Sequence, residues 1–236
     1  RRGVAAHKFV EGGKWVSHTP SEFAELVGEE IRDKVVGVVG LGNIGSRVVE
    51  ILRAFNPKKI LVYDPYVNPN IVRAMGAEPV ESIYEIAEQC DIITIHAPLT
   101  PKTRHLFNED VFSRMKRGVY IVNTARGAII DTKALIKALE NGIVAFAALD
   151  VVEEEPIGAD HPLLKFKNVV ITPHIGSATR ESYRAMDEAA LSEAVRIALG
   201  EKPLWALNSS LLRDPAKLRI CRRREYADKP MCAQQR

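Results

Sequence analysis

The sequence predicts an α/β fold built on a doubly wound parallel sheet, and three observations carry that expectation. Short, continuously apolar runs of strand length recur along the chain, segments of helical periodicity stand between several of them, and the first run ends on a glycine-rich loop. The stretch up to about Ile31 holds no strand-like run; Pro20 to Val27 reads as a short helix after Thr19 and leads into Asp33-Lys34. Val35 to Val39 is the first strand, followed by helical spacing in Ile44, Val48, Val49, Ile51, Leu52 and Phe55. Ile60 to Tyr63 is the second strand and ends at Asp64. Further runs at Ile92 to Ile95, Val119 to Val122, Ala147 to Leu149 and Val169 to Ile171 repeat the pattern. Among the helices between them, Asp131 to Asn141 sets Ala134, Leu135, Ala138 and Leu139 on one side, which reads as core packing. Arg180 to Leu199 reads as one long helix stopped by Gly200 and Pro203, and beyond Asn208 the pattern gives way to a basic tail.

Composition bounds the function. With 236 residues and 46% hydrophobic side chains, the chain suffices for one large α/β core or two modest domains and is too apolar to be disordered. No apolar run reaches the roughly 20 residues of a membrane helix, and Arg1-Arg2-Gly3-Val4 opens no hydrophobic signal segment. A cytoplasmic protein without a membrane role is expected. The net charge of +3 is concentrated in Ser209 to Arg236, where eight basic side chains face three acidic ones, so the body is slightly negative and no nucleic-acid partner is expected. Cys90, Cys221 and Cys232 form no CxxC pair and have no His at zinc-ligand spacing, which points to reduced thiols and no metal site.

Gly40-Leu41-Gly42-Asn43-Ile44-Gly45 follows the first strand and opens a helix, the context that makes G-x-G-x-x-G the fingerprint of a Rossmann dinucleotide-binding unit. Gly40 suits the tight turn, Gly42 lets backbone approach a pyrophosphate, and Gly45 lets helix and strand pack closely. The N–H groups of Asn43 and Ile44 are free to meet the anion. Asp64, 19 residues past Gly45 at the end of the next strand, is placed to accept hydrogen bonds from the ribose hydroxyls. Its charge opposes a 2′-phosphate, and Pro65 rather than Arg follows it, so NAD is expected in preference to NADP.

Three more motifs stand at the ends of later strands: Asn123-Thr124-Ala125-Arg126-Gly127, Asp150-Val151-Val152-Glu153-Glu154-Glu155-Pro156, and Pro173-His174-Ile175-Gly176. That edge of an open α/β sheet is where ligands bind. With Asp91 to Thr103 (DIITIHAPLTPKT), these motifs closely resemble those of the D-isomer-specific 2-hydroxyacid dehydrogenases, over about Trp15 to Asn208. The resemblance implies that Arg126 binds the substrate carboxylate and carbonyl, that His174 is the general acid/base and that Glu155 partners it. A permanently charged, planar guanidinium suits the first role, and a carboxylate that fixes the imidazole tautomer suits the last. It also implies cofactor contacts from Thr124 and Ala125 beside the nicotinamide, Asp150 at its carboxamide, His174 and Gly176 nearby, and His96, Ala97, Pro98 and Thr103 along the adenosine side. His7, His18, His105 and His161 are expected to be surface or loop positions without chemistry.

By the same resemblance the expected activity is hydride transfer between NAD(H) and a small D-2-hydroxy or 2-keto acid of the glyoxylate, hydroxypyruvate or phosphoglycerate class, in a homodimer. Family members carry a long N-terminal segment that builds most of a second, substrate-binding domain. This chain starts with Arg and has only a remnant of that domain, so its true start is expected upstream. The expected division is an entry helix and linker over 1–32, the nucleotide domain over 33–178, a helix over 179–208 returning toward the substrate domain, and a solvated basic tail over 209–236. The alternative function is a catalytically impaired NAD(H)-binding fragment or a nucleotide-sensing scaffold of the same fold.

Overall fold

A computed structural model describes residues 2–16, 24 and 26–206. The chain divides into two compact units, Arg1–Gly176 and Ser177–Arg236. The first opens with α1 (Gly3–Glu11), a helix the sequence reading did not anticipate: with no buried residue, it lacks the clear apolar stripe by which a helix is recognised. The helix expected over Pro20 to Val27, His18 and the tail from Ser209, with Cys221 and Cys232, fall mostly or wholly outside the described residues.

Seven strands follow: β1 (Val35–Val39), β2 (Lys59–Tyr63), β3 (Glu78–Val80), β4 (Ile92–Ile95), β5 (Val119–Asn123), β6 (Val144–Leu149) and β7 (Val169–Ile171). All pair in parallel in the order β3-β2-β1-β4-β5-β6-β7. The chain steps outward from β1 to β3, then crosses back to lay β4 on the other side of β1. That reversal makes the crevice outside the ends of β1 and β4 the place for a ligand. Strand β3 escaped the sequence reading because it is three residues long with Pro79 at its centre. Proline cannot donate to a ladder and is confined to edges, and β3 is an edge strand.

Six helices flank or follow the strands: α2 (Asn43–Arg53), α3 (Pro69–Ala74), α4 (Ile83–Gln89), α5 (Glu109–Ser113), α6 (Thr132–Glu140) and α7 (Arg180–Ala198). Alternation along β1 and β2 sends Val38, Ile60 and Val62 into a core with Val49 of α2 and Val72 of α3. Val39 and Leu61 face the other way, into a larger core with Ile86 of α4, Val111 of α5 and Leu135 of α6. The sheet is thus covered on both faces, as an all-parallel sheet requires. The expected apolar side of α6 is buried at all four positions. Helix α2 differs: Val49 packs inward, while Ile44, Ile51 and Phe55 are exposed, so its apolar spacing spans two faces rather than one.

Cys90 is a free, buried thiol, and burial pushes it up to about 12, so it stays protonated in the core. In the second unit, Thr179 caps α7 by accepting from the Ser182 N–H at 3.0 Å, and Gly200 ends it with φ at 76°. No described helix is long and apolar enough to cross a membrane, and no described cluster of three or more His, Cys, Asp or Glu could hold a metal ion.

Candidate active site at the carboxyl edge of the sheet

Register collects the site. Val39 pairs with Tyr63 and Ile95, Ile95 with Asn123, Asn123 with Leu149, and Leu149 with Ile171. The residues that follow these ends, Gly40, Asp64, His96, Thr124, Asp150 and Thr172, therefore form one row along the carboxyl edge.

At β1 the loop is shaped by what it lacks. Gly40 has φ at +91°, and a Cβ there would lie 2.7 Å from the Ala97 nitrogen. A Cβ on Gly45 would lie 2.0 Å from the Gly40 carbonyl oxygen. Around Gly42 a Cβ would meet nothing within 4 Å, so the space in front of α2 is open. Gly42 is the N-cap of α2 and gives no side-chain acceptor, whereas Asn68, Ser82, Asn108 and Asp131 cap α3 to α6. The first N–H groups of a helix have no intrahelical acceptor, so those of α2, Asn43 and Ile44 among them, are left to an anion. The residues present fit the pyrophosphate of a dinucleotide.

Asp64 has a second task the sequence did not reveal. Its Oδ2 accepts from the Leu41 N–H at 2.8 Å and its Oδ1 from the Tyr66 N–H at 2.9 Å. The carboxylate thus holds the glycine loop in place. Across the crevice, Thr103 ties its own loop: its hydroxyl donates to the Pro98 carbonyl at 2.6 Å and accepts from the Thr100 N–H at 2.7 Å. Ala97 is buried against the glycine loop and Pro98 is exposed. The His96 ring meets the Thr94 hydroxyl through Nε2 at 2.8 Å, while its buried Nδ1 has no hydrogen-bond partner among the described residues. Burial pushes the His96 imidazole below its ordinary value and keeps it neutral.

Beyond β5, the fully buried Asn123 shapes the next turn. Its Oδ1 accepts from the Ala125 N–H at 3.0 Å and its Nδ2 donates to the Arg126 carbonyl at 3.1 Å. Thr124 and Arg126 are left exposed on that turn and Ala125 half-buried. Arg126 Nη1 donates to the Ala125 carbonyl at 2.6 Å, and among the described residues no carboxylate pairs with the guanidinium. Gly127 follows because nothing larger fits: a Cβ there would lie 1.8 Å from the Val152 carbonyl oxygen.

Asp150, after β6, accepts from the Thr172 hydroxyl at 2.6 Å, the Ile175 N–H at 2.9 Å and the Gly176 N–H at 2.8 Å. Burial would raise its carboxyl, but these donors and the nearby His174 outweigh that and hold it below the usual range. Asp150 therefore shapes the Pro173 to Gly176 turn, where His174 adopts a left-handed φ of 54°. A Cβ on Gly176 would lie 2.9 Å from Asp150 Oδ2. His174 Nδ1 lies 2.8 Å from Glu155 Oε2, and Glu155 Oε1 accepts from the Val152 N–H at 2.9 Å. The structure thus brings Glu155, rather than Glu153 or Glu154, to His174.

Two of the histidines expected at surface or loop positions lie in loops and make side-chain hydrogen bonds there. His161 caps the 3-10 turn Pro162–Lys165, its Nδ1 accepting from the Leu163 N–H at 3.3 Å. His105 lies in a loop, but its Nε2 is 2.5 Å from Glu153 Oε1. Asn123, Glu153 and Thr172 also hold parts of the site together. Asn123 stood in a quoted motif as a polar residue ending an apolar strand; for the other two and His105, nothing in their spacing marks the contact.

Fold, switch-point crevice and glycine loop define a dinucleotide-binding domain carrying a His–Glu pair and an exposed arginine. The D-isomer specific 2-hydroxyacid dehydrogenase, NAD binding domain, family matches residues 1–176, and the chain belongs to that family. It is 43% identical to a glyoxylate reductase of Aeropyrum pernix over 214 residues, 90% of this chain and 63% of that protein. It is 44% identical to a D-3-phosphoglycerate dehydrogenase of Methanocaldococcus jannaschii over 174 residues, 74% of this chain and 33% of that one. Among solved structures, a glyoxylate reductase from Paecilomyes thermophila superposes with a TM-score of 0.77 at 34% identity, covering 89% of this chain and 61% of that chain. D-lactate dehydrogenase with NAD+ from Lactobacillus jensenii superposes with a TM-score of 0.73 at 30% identity, covering 88% and 64%. The chain spans less than two thirds of the length of these relatives.

Proposed function

We propose that the chain serves as an NAD-dependent D-2-hydroxyacid dehydrogenase acting on a small 2-keto or 2-hydroxy acid of the glyoxylate, hydroxypyruvate or phosphoglycerate class. The observation that carries this reading is the 2.8 Å His174–Glu155 pair, standing on the same sheet edge as the exposed Arg126 and the open glycine loop. The bound nicotinamide supplies or accepts the hydride.

The chain's own groups do the rest. Gly40, Gly42, Asn43, Ile44 and Gly45 cradle the pyrophosphate, Asp64 faces the ribose, and His96, Ala97, Pro98 and Thr103 line the adenosine side. Thr124, Ala125, Asp150 and Gly176 lie toward the nicotinamide. An ionised carboxylate only accepts, so Glu155 fixes the His174 proton on Nδ1 and leaves Nε2 to exchange a proton with the substrate oxygen. Nε2 takes the hydroxyl proton in oxidation and returns it in reduction. Arg126 binds the substrate carboxylate and draws charge toward the carbonyl oxygen. The division of the chain into 1–32, 33–178, 179–208 and 209–236, a homodimer and a cytoplasmic location belong to the same proposal; light scattering tests the dimer.

The test follows NADH absorbance with glyoxylate, hydroxypyruvate, pyruvate and phosphohydroxypyruvate, and then with His174→Ala. Turnover on one acid, falling about 10²- to 10⁴-fold in the variant while NADH affinity is unchanged, is the expected result. Equal turnover in the variant overturns the role of His174. NADH binding without turnover on any acid favours the alternative, a binding fragment or nucleotide-sensing scaffold.

A further inference from the structure

We propose that His105 and Glu153 form a positioning pair that sets Arg126 against the Glu155–His174 pair, governing turnover without touching substrate or cofactor. The inference rests on the dehydrogenase reading above and adds residues to which that reading gives no role.

Glu153 sits where three strand-end loops meet. Its Oε1 lies 2.5 Å from His105 Nε2, in the loop after β4. Its Oε2 accepts from the Thr132 N–H at 3.2 Å, the first residue of α6 after the Arg126 turn. Its own backbone belongs to the loop after β6. One carboxylate therefore joins the loops that follow β4, β5 and β6.

The neighbouring backbone carries the functional groups. The Val152 N–H holds Glu155 Oε1, and the Val152 carbonyl lies so close to Gly127 that a Cβ there would be 1.8 Å from it. The peptide between Val152 and Glu153 is thus wedged between the Arg126–Gly127 turn and the anchor of Glu155. A shift of Glu153 moves both. Glu155 and His174 are 37% and 47% exposed, so packing alone does not lock their pairing and the loop that carries Glu155 must.

His105 is held for this task from both sides. Its N–H donates to the Ala128 carbonyl at 2.8 Å, and the adjoining Phe107 bridges Ile130 in parallel. It keeps a left-handed φ of 51°, a region that disfavours residues with a Cβ unless their surroundings fix them. Burial would raise the Glu153 carboxyl, but His105 and Thr132 hold it below the usual range, so it is an ionised acceptor at neutral pH. The glycine loop, which would hold the pyrophosphate, shares none of these contacts, so NADH affinity should depend on them far less than turnover does.

The test uses the full chain with Glu153→Ala, His105→Ala, the double variant and Glu153→Gln. Two quantities are read: kcat with the best 2-keto acid, and the ¹⁵N resonance of His174 Nδ1, which reports its bond to Glu155 without turnover. Each alanine variant is expected to lower kcat about 10- to 100-fold, as small misplacements of reacting groups do, with NADH affinity changed far less. The double variant should be no worse than the worse single one, because the two side chains act through one contact. Glu153→Gln keeps one accepting oxygen for the Thr132 N–H and can donate its amide to the Nε2 of a neutral His105, so it should recover part of the loss.

The His174 resonance should move in both alanine variants in the direction it moves in Glu155→Ala. An unmoved resonance, or losses that multiply in the double variant, overturns the proposal. A moved resonance in a chain that turns over no acid leaves the positioning pair standing and removes the dehydrogenase reading instead. If Glu153→Ala does not fold, His105→Gln is read in its place against the same outcomes.

Discussion

On the β1–β2 side of the sheet the site is backbone with side chains removed; on the β5–β7 side it is side chains paired across loops. Gly40, Gly42 and Gly45 make an open helix start without a side-chain cap, and Asp64 holds Leu41 in place there. Across the switch point, the side chains of Asn123, Asp150, Glu153 and Glu155 bond the backbones and rings of other loop residues, His105 and His174 among them, over separations of 2 to 48 residues. The first side serves an anion, which needs free N–H donors and room. In the proposed function the second side moves a proton, which needs a ring held at one angle.

The sharpest way to break this comparison is a glycine on the wrong side of it. Gly127 lies in the paired half but behaves like the glycines of the cradle, since its hydrogen faces the Val152 carbonyl at a distance no Cβ tolerates. Gly127→Ala is expected to cost about 3 kcal/mol, the upper end of overpacking losses, because backbone rather than a flexible side chain must move. Urea unfolding measures it. A loss under about 1 kcal/mol would mean that the two loops are not wedged together, and the positioning role of Glu153 would lose its mechanical basis.

The same contrast explains what was legible in the sequence. Strands β1, β4 and β7 lie where the apolar runs place them, and α6 and α7 begin at residues following recognisable caps, Asp131 and Thr179. The glycine loop was legible because its chemistry is local: six consecutive residues between a strand and a helix state their conformation. Strand β3 was not, since a three-residue edge strand centred on Pro79, with Val80 its one β-branched residue, is too short to show a pattern. The division of α2 into an inward and an outward apolar face was not, because spacing alone does not say which apolar stripe the sheet takes. His105 and Glu153 stand 48 residues apart, and only the crossover between β4 and β6 brings them together. Resemblance pointed to Glu155 as the partner of His174; why Glu153 is needed beside it required three loops in space.

Asp150 tests whether the paired half is held by charge. Asp150→Asn replaces one accepting oxygen with an amide that faces N–H or O–H donors, and it should cost about 2 kcal/mol at neutral pH, the scale of hydrogen bonds to a charged group. The folded carboxyl sits below its unfolded value, so its contribution is fully present above that value and is lost as pH falls through the folded one. The gap between wild type and variant should therefore narrow below about pH 4, near the ordinary Asp value. Denaturant midpoints at pH 7 and in the acid range read this directly. A gap that is constant with pH would show that shape rather than charge holds the His174 turn.

Gly42 is the cradle's counterpart to Gly127, and the expected effect on stability is the smallest. Its φ is −77°, a value any residue adopts, and a Cβ there meets nothing within 4 Å. Gly42→Ala should therefore change unfolding by less than about 0.5 kcal/mol, as a surface substitution does. The added methyl occupies the space through which a pyrophosphate reaches the helix N–H groups, so NADH affinity should fall about tenfold or more, equivalent to about 1.4 kcal/mol. Fluorescence titration with NADH measures the second effect and urea unfolding the first. The comparison holds only if the two separate: Gly127 must matter to folding and Gly42 to ligand. Unchanged NADH affinity would mean that the open space before α2 is not where the anion lies, and the assignment of Asn43 and Ile44 as its donors would fall with it.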